Sequence, residues 1–181
     1  MDQDATERYR SMAARLEAGD LTVDLGELRR AYADSADFTT ESSSALQAEL
    51  MDAMGKRDFP RAIRSAQKAI ETKYANIHAH HALYFAYRET GDEERFKFHF
   101  AVWKGLIDSI LRSGDGKSET TAYEVMSIDE EYLVLRILGL VPVLQSLKMD
   151  GDHKCDVMKA KNPATQEEVK LYFNIDKFFG R

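Results

Sequence analysis

The sequence predicts an α+β fold, in which a tetratricopeptide-like array of about six helices packs on a small C-terminal antiparallel sheet of three or four strands, with one further helix. Helical periodicity runs through residues 45–112. Two related segments recur about 34 residues apart, which is the tetratricopeptide period. The last third of the chain alternates apolar and polar residues between turn-forming segments, as strands do.

This pattern divides the chain of 181 residues into a helical part, residues 1–112, and an α+β part, residues 113–181. The length allows one sizeable core, so we expect both parts to fold as one cooperative unit. A content of 44 % hydrophobic and 31 % charged residues is typical of a globular protein.

Two helices are predicted before the array. The first covers residues 6–18 and is closed by Gly19, and the second covers residues 25–34 behind Asp24, whose side chain suits an N-cap. Residues 35–44 are rich in Ser, Thr and Asp and have no period. They indicate a loop whose last serines cap the next helix.

Four further helices form the predicted array, over residues 45–54, 59–73, 77–90 and 92–112. The second helix of each pair starts near an equivalent aspartate, and the positions facing the next helix differ between the copies. These positions hold Ala62, Ala66 and Ala69 in the first copy and Phe96, Phe100 and Trp103 in the second. Because small residues let repeat helices nest, we expect the three large rings to end the array and to dock the C-terminal part.

The C-terminal part is predicted to begin with a glycine-rich turn, residues 113–118. Ser127 is expected to cap a helix, with Glu130 at the capping-box position. The predicted elements are a strand at 122–126, the helix at 128–138, and strands at 141–149, 154–161 and 169–175. Turns at 150–152 and 162–165 join the last three strands into a meander, and the tail, residues 176–181, is expected to tuck back.

Several short segments carry a resemblance to a known family. They are NIHAH at 76–80, His99, SGDGKS at 113–118, EEY at 130–132, QSL at 145–147, DVM at 156–158 and YFNI at 172–175. Through them the chain resembles, from about Asp24 to its end, a bacterial family known as a domain of unknown function. The resemblance implies this fold and no particular activity, and it implies that members are often exported or lipid-anchored.

The charge balance narrows the class of partner. A net charge of −6 and an isoelectric point near 5.4 disfavour a nucleic-acid reader and favour a cationic partner. The sequence has no segment apolar enough for a membrane span, its first residues do not resemble a signal peptide, and Cys155 is its only cysteine. We therefore expect a cytoplasmic protein, with a periplasmic or lipid-anchored location only if a leader has been removed.

Tetratricopeptide arrays bind peptides on a concave face built by the first helix of each pair. The residues that would line this face are His78, His81, Tyr84 and Arg88, whereas His80 takes an inward position and is expected to be buried. We therefore predict a non-enzymatic protein–protein interaction protein, adaptor-like or immunity-like. It would hold a cationic protein partner on the helical face or on the edge of the C-terminal sheet. The oligomeric state stays open.

The alternative is a small-ligand or anion-binding protein, an enzyme included, with its site where the helices meet the sheet. Its candidate residues are His80, His99, Ser113, Asp115, Lys117, Glu131 and Tyr132. The turn before Ser118 lacks the first glycine of a phosphate-binding P-loop, because Leu111 stands there. It can still form either an anion-binding nest of N–H groups or an ordinary tight turn.

The acidic residues and histidines allow further chemistry. Asp115, Asp129, Glu130 and Glu131 could supply a carboxyl pair with split pKa values, or could serve as turn, cap and helix-dipole residues. The histidines at 78, 80 and 81 lack the i, i+4 spacing of helical metal ligands, so no metal or other cofactor is predicted. No catalytic residue can be assigned.

Overall fold

The computed structural model describes residues 3–39, 44–151 and 153–180. The chain forms two compact units, Met1–Ile107 and Asp108–Arg181. Across the described ranges there are seven α-helices and one four-stranded sheet, so the predicted α+β class is confirmed.

Six helices start in the first unit, and the last of them continues into the second. They are α1 Gln3–Glu17, α2 Leu25–Asp34, α3 Ser44–Gly55, α4 Phe59–Thr72, α5 Ile77–Thr90 and α6 Glu93–Leu111. All six were predicted, and α2 and α5 have the predicted bounds. The serines expected to cap α3 fall mostly outside the described residues, so that cap is not described.

Side-chain caps explain why the helices begin where they do. The Asp24 carboxylate accepts the N–H groups of Gly26 at 2.8 Å and Glu27 at 2.9 Å, as predicted for this N-cap. Asn76 caps α5 in the same way, through the N–H of Ala79 at 3.0 Å. Gly91 ends that helix with a φ of 82°, the left-handed conformation that glycine adopts without strain.

The core of the helical unit lies among α3, α4 and α5. The three small residues of α4, Ala62, Ala66 and Ala69, are buried there against Leu83 and Tyr87 of α5. Small side chains let these helices approach closely, in agreement with the reason for predicting a repeat. The tetratricopeptide relationship itself stays a prediction.

The second unit holds a short 3₁₀ turn, Glu119–Thr121, one helix and four strands. They are β1 Tyr123–Glu124, α7 Ile128–Ile137, β2 Val141–Asp150, β3 His153–Lys161 and β4 Glu168–Asn174. The spatial order of the strands is β1-β4-β3-β2. Strands β2, β3 and β4 form the predicted antiparallel meander.

The first strand differs from the prediction in length and direction. β1 has two residues instead of five and pairs in parallel with β4, so the sheet is mixed. Its start is delayed because the carbonyl of Thr121 accepts the N–H groups of Asp115 and Gly116, which closes a loop. Its end is early because the N–H of Met126 donates to a helix cap instead of to a strand.

The strand register decides which side chains share a face of the sheet. Asp156 lies between Leu147 and Phe173 on neighbouring strands, and Met158 lies between Gln145 and Leu171. Side chains alternate along a strand, so these residues share one face. Helix α7 lies on this face, because Glu131 of the helix is hydrogen-bonded to Gln145.

The tail is partly as predicted. Phe178 is buried and its N–H donates to the carbonyl of Ile175, whereas Phe179 is exposed. Over the described ranges, no helix is long and apolar enough to cross a membrane.

Candidate functional site

The predicted site residues fall into four groups, and the first is a buried histidine pair in the helical unit. His80 is completely buried, as its inward position predicted, and His99 is nearly so. The Nε2 atom of His80 lies 2.8 Å from the carbonyl oxygen of Tyr74, and its Nδ1 atom lies 3.0 Å from Nδ1 of His99. The pair therefore connects α5 and α6 with the turn before α5.

The contacts of this pair fix its protonation. A carbonyl oxygen only accepts, so Nε2 of His80 carries a hydrogen, and its Nδ1 accepts a hydrogen bond from His99. Burial and the neighbouring His99 lower the pKa of His80 to about 3. Burial and the charge of Arg95 lower the pKa of His99 to about 4. Both rings are thus neutral at physiological pH and serve as packing groups with satisfied hydrogen bonds.

The second group is the predicted binding face of α5. His81 is exposed and contacts the rings of Tyr84 and Trp103, with centroid distances of 5.0 and 5.7 Å. The Arg88 guanidinium lies 4.8 Å from the ring centroid of Phe85, and it is exposed. His78 is half-buried in the first turn of α5.

The rings expected to end the array contact one another and Tyr84. Phe96 and Trp103 are half-buried, and Phe100 is 39 % exposed. Tyr84 lies 5.5 Å from Phe100 and 5.0 Å from Trp103, between ring centroids. Phe100 is the most exposed of the three rings, and the expectation that they dock the C-terminal part stays a prediction.

The third group is the turn at residues 113–118, which is held by its own side chains. The N–H groups of Asp115 and Gly116 donate to the carbonyl of Thr121 at 3.0 and 2.8 Å. The N–H of Lys117 donates to Asp115 Oδ1 at 3.0 Å, and the Ser113 hydroxyl accepts the N–H of Glu124 at 2.8 Å. The N–H groups that an anion nest would use therefore donate within the protein, which supports the tight turn.

The fourth group lies under α7 and contains Glu131 and Asp156, here called the carboxyl pair. Glu131 is completely buried and Asp156 is 8 % exposed. The side-chain amide of Gln145 connects them, because its Nε2 atom donates to Glu131 Oε2 at 3.2 Å and to Asp156 Oδ2 at 2.6 Å. The Tyr132 hydroxyl donates to Gln145 Oε1 at 3.2 Å, so the network reaches the surface at Tyr132, which is 39 % exposed.

The neighbouring glutamate, Glu130, caps the start of α7. Glu130 Oε2 accepts the N–H of Met126 at 2.8 Å, whereas the Ser127 hydroxyl makes no cap hydrogen bond. The capping role predicted for Glu130 is thus confirmed, with a partner one residue earlier than in the usual capping box. The cap predicted for Ser127 and the helix-dipole interpretation of Glu131 are not supported, because Glu131 points to the sheet.

The carboxyl pair holds a proton at neutral pH. Burial and, to a smaller extent, the charge of neighbouring Asp156 together raise the pKa of Glu131 to about 8. Glu131 Oε1 is buried, and no N–H or hydroxyl group of the described residues donates to it. Glu131 is therefore neutral at this pH, because a second negative charge beside Asp156 in a buried site is unfavourable.

Strand β2 lies beside this network and is the exposed edge of the sheet. It pairs with β3 on one side, and no other strand of the described residues pairs with its second side. All ten residues of β2 are exposed. Five of them are large and apolar: Val141, Val143, Leu144, Leu147 and Met149.

The sequence contained only part of this arrangement. Glu131 and Tyr132 were candidates, but Gln145 and Asp156 entered only as segments of a family resemblance. The sequence contains one signal for this site, which is Asp156, an acidic residue within the otherwise apolar segment Cys155 to Met158. The structure shows that the whole segment is buried. In the part of the chain that the structure describes, no three His, Cys, Asp or Glu side chains gather closely enough to hold a metal ion.

Comparison with known proteins gives a family. A family model described as Domain of unknown function (DUF4919) matches residues 1–180. Neither the search of curated proteins nor the search of solved structures found a match.

Proposed function

The chain belongs to the DUF4919 family of domains of unknown function, and we propose that it is a non-enzymatic interaction protein that binds a protein partner along β2. The observation that carries the proposal is the exposed edge of the sheet, with ten exposed residues of which five are large and apolar. A free edge presents a row of unpaired N–H and C=O groups, to which an extended segment of another chain can be added as a strand.

The middle of β2 lacks the usual protections of an edge. Natural edge strands avoid pairing through prolines, charged side chains or short length. In β2, Pro142 lies near the start and Lys148 and Asp150 near the end. The pairing of β2 with β3 is irregular between Pro142 and Leu144, and the four residues that follow, Leu144 to Leu147, contain neither proline nor charge. Their length suits main-chain pairing with a partner strand.

The carboxyl pair supports a basic partner. Gln145 and Tyr132 bring the network of Glu131 and Asp156 to the surface next to β2. Together with the net charge of −6, this favours an extended segment that carries Lys or Arg. Binding to such a segment is expected to weaken as the salt concentration rises.

The proposal is tested by site-specific photo-crosslinking in the native host. A photoreactive phenylalanine analogue at Leu147 is expected to crosslink a discrete partner, whereas the same analogue at exposed Lys170 of β4 gives none. Leu144→Lys is expected to abolish the crosslink by placing a charge on the edge. Ile128→Lys is the matched control, because Ile128 is 53 % exposed against 56 % for Leu144 and lies on α7. Equal crosslinking at both analogue positions, or equal loss in both variants, would contradict the proposal.

A second function, a small-ligand protein or an enzyme, is favoured by one observation, the buried Glu131 with its raised pKa beside Asp156. A buried acid with a pKa near 8 beside a second carboxyl group is the arrangement that general acid–base catalysis uses. If this function holds, Glu131→Gln and Asp156→Asn each abolish turnover that the wild-type protein shows on a panel of esters, amides and glycosides. A wild-type protein inactive on the whole panel would rule out hydrolysis of these classes.

A further inference from the structure

The hydrogen-bond network around Gln145 has more acceptors than donors. Both amide hydrogens of Gln145 are used, one on Glu131 Oε2 and one on Asp156 Oδ2. The hydroxyl hydrogen of Tyr132 is used on Gln145 Oε1. Glu131 Oε1 is buried and receives no hydrogen bond from the described residues. Apart from the proton of neutral Glu131, the network therefore has acceptor atoms left over and no donor.

The exposed end of this network consists of two acceptors beside β2. The two carboxyl groups that hold the amide nitrogen fix the orientation of the Gln145 side chain, so its oxygen points to Tyr132. A carbonyl oxygen can accept two hydrogen bonds, and Tyr132 makes one of them. Tyr132 is 39 % exposed, and its oxygen has given away its hydrogen but can still accept one. A group that binds there has to be a hydrogen-bond donor.

The charge behind these two acceptors favours a cationic donor. Because Glu131 is neutral, Asp156 carries the negative charge of the carboxyl pair. Its Oδ2 atom lies 2.6 Å from Nε2 of Gln145, and no Lys, Arg or His of the described residues forms an ion pair with it. A carboxylate that is only 8 % exposed and has no counter-ion is unfavourable. A cation at the exposed end of the network would reduce this cost.

The neighbouring side chains of β2 add an apolar contact at strand spacing. Gln145 pairs with Met158 and Leu147 pairs with Asp156, on the face of the sheet where α7 lies. A strand added along the free side of β2 would place one residue beside Gln145 and another, two positions away on the same face, beside Leu147. Leu147 is 45 % exposed, so an apolar residue suits this second position.

We propose that β2 selects an extended segment with a Lys or Arg beside Gln145 and an apolar residue two positions away, beside Leu147. This inference rests on the proposed binding along β2 and adds its specificity-determining residues, which are Tyr132, Gln145 and Asp156. The ammonium or guanidinium group donates to Gln145 Oε1 and to the Tyr132 oxygen, and Asp156 supplies the opposite charge. An acidic residue at the same position is disfavoured, because it would face two acceptors and a like charge.

Selection of phage-displayed random decapeptides on the full chain tests this specificity. The enriched peptides are expected to share a basic residue two positions from an apolar one, and the Leu144→Lys variant is expected to enrich none of them. The most enriched peptide, labelled with a fluorophore, is then titrated with the protein and followed by anisotropy. Replacing its basic residue with norleucine keeps an aliphatic chain and removes the charge, and this is expected to weaken binding about tenfold.

Variants of the protein show whether the basic residue lies beside Gln145. Asp156→Asn keeps an acceptor for the Gln145 amide and removes the charge, so the norleucine replacement is expected to cost less than about threefold in this variant. Tyr132→Phe, at an exposed position, is expected to weaken binding of the basic peptide about threefold and to leave the norleucine peptide unchanged. Glu168→Gln removes an exposed carboxylate of β4, which β3 separates from β2, and is expected to keep the tenfold difference. Unfolding temperatures check that each variant is folded.

Two results would overturn this specificity and leave binding along β2 in place. One is a set of enriched peptides that lose binding in Leu144→Lys but share no basic residue. The other is a cost of the norleucine replacement that is equal in the wild type, in Asp156→Asn and in Tyr132→Phe. A library that enriches no peptide sensitive to Leu144→Lys would overturn both the specificity and the proposed binding along β2, so the two failures are distinguishable.

Discussion

Glu131 shows how strongly a single buried group can respond to pH. Its pKa rises from about 4.5 in the unfolded chain to about 8 in the folded protein, mainly because of burial. Between these two values the folded state binds more protons than the unfolded state. The free energy of unfolding therefore falls as the pH rises through this range, and the loss is complete above the folded pKa.

The variant Glu131→Gln tests this effect, because an amide keeps the shape of a protonated carboxyl group and cannot ionise. It should be more stable than the wild type at pH 8 by on the order of 2 kcal/mol, and the difference should shrink toward pH 5. Urea unfolding at several pH values measures it. Asp129→Asn on the same helix is the control, since Asp129 is exposed and should show no such gain. A constant difference at all pH values would contradict the assignment.

The histidine pair gives the free energy of unfolding the opposite dependence on pH. His80 and His99 have pKa values lowered from 6.5 to about 3 and about 4, so below pH 6.5 the unfolded chain binds more protons than the folded one. The contribution of this pair to the free energy of unfolding is therefore complete above pH 6.5 and decreases as the pH drops toward 4. Desolvation of the rings is the main cause of both shifts.

Removing one ring of this pair is expected to be costly at neutral pH. His99→Phe keeps the stacking on Tyr87 but leaves Nδ1 of buried His80 without its donor, which should cost about 1–3 kcal/mol. With one titrating ring removed, the free energy of unfolding should also fall less steeply as the pH drops from 6.5 toward 4. His81→Gln, at an exposed position of the same helix, should change stability by less than about 0.5 kcal/mol. Thermal unfolding followed by circular dichroism separates the two, and similar losses would refute a special role for the pair.

At the scale of single elements, the start of α7 gives a prediction with a built-in control. Glu130 makes the cap hydrogen bond to Met126, and Ser127 makes none although it occupies the N-cap position. Glu130→Ala should therefore lower the free energy of unfolding by about 1 kcal/mol or more, because the N–H of Met126 is buried and loses its acceptor. Ser127→Ala should be nearly neutral. Denaturant titration of both variants measures the difference, and the reverse order would show that the hydroxyl is the cap.

Elements with local signals could be predicted from the sequence, whereas those set by distant contacts could not. The bounds of α2 and α5 follow from Asp24, Asn76 and Gly91, each of which acts on its own neighbours. The short length of β1 depends on tertiary hydrogen bonds, such as that from the Glu124 N–H to Ser113, eleven residues earlier. Local propensity contains no information about such a bond.

The candidate site was only half visible for the same reason. Glu131 looks like any acidic residue in the first turn of a helix, a place where a negative charge is favourable in water. Its burial depends on Gln145, fourteen residues further along the chain, and on Asp156 in the next strand. Helical period and charge pattern do not show which strand residues lie beneath a helix, so the carboxyl pair required the structure.

At the scale of the whole molecule, the two compact units have opposite responses to pH. The unit Met1–Ile107 contains the histidine pair and is weakened by acid, and the unit Asp108–Arg181 contains Glu131 and is weakened by alkali. One cooperative unit, as predicted from the chain length, would unfold in a single transition at every pH. Two units with separate cores would instead unfold at different denaturant concentrations when the pH is acid or alkaline.

Two residues, one in each unit, can show whether the two units unfold together. Trp103 is the only tryptophan and Cys155 the only cysteine, and Cys155 is buried in β3. At pH 8.5 we expect the thiol of Cys155 to become reactive toward a pyridyl disulfide at a lower urea concentration than that at which Trp103 fluorescence changes. At pH 5 the order should reverse. Coincident transitions at both pH values would establish the single cooperative unit instead.

The free edge of β2 has a consequence for the amount of this protein that a cell can hold. An edge that accepts a partner strand also accepts the same strand of a second copy, and that competing reaction grows with the square of the concentration of unbound protein. If the cell makes this protein and its partner in equal amounts, the concentration of unbound protein stays low. The two genes would then be expected to be expressed at matched levels, and overproduction of this chain alone should give aggregates that co-production of the partner prevents.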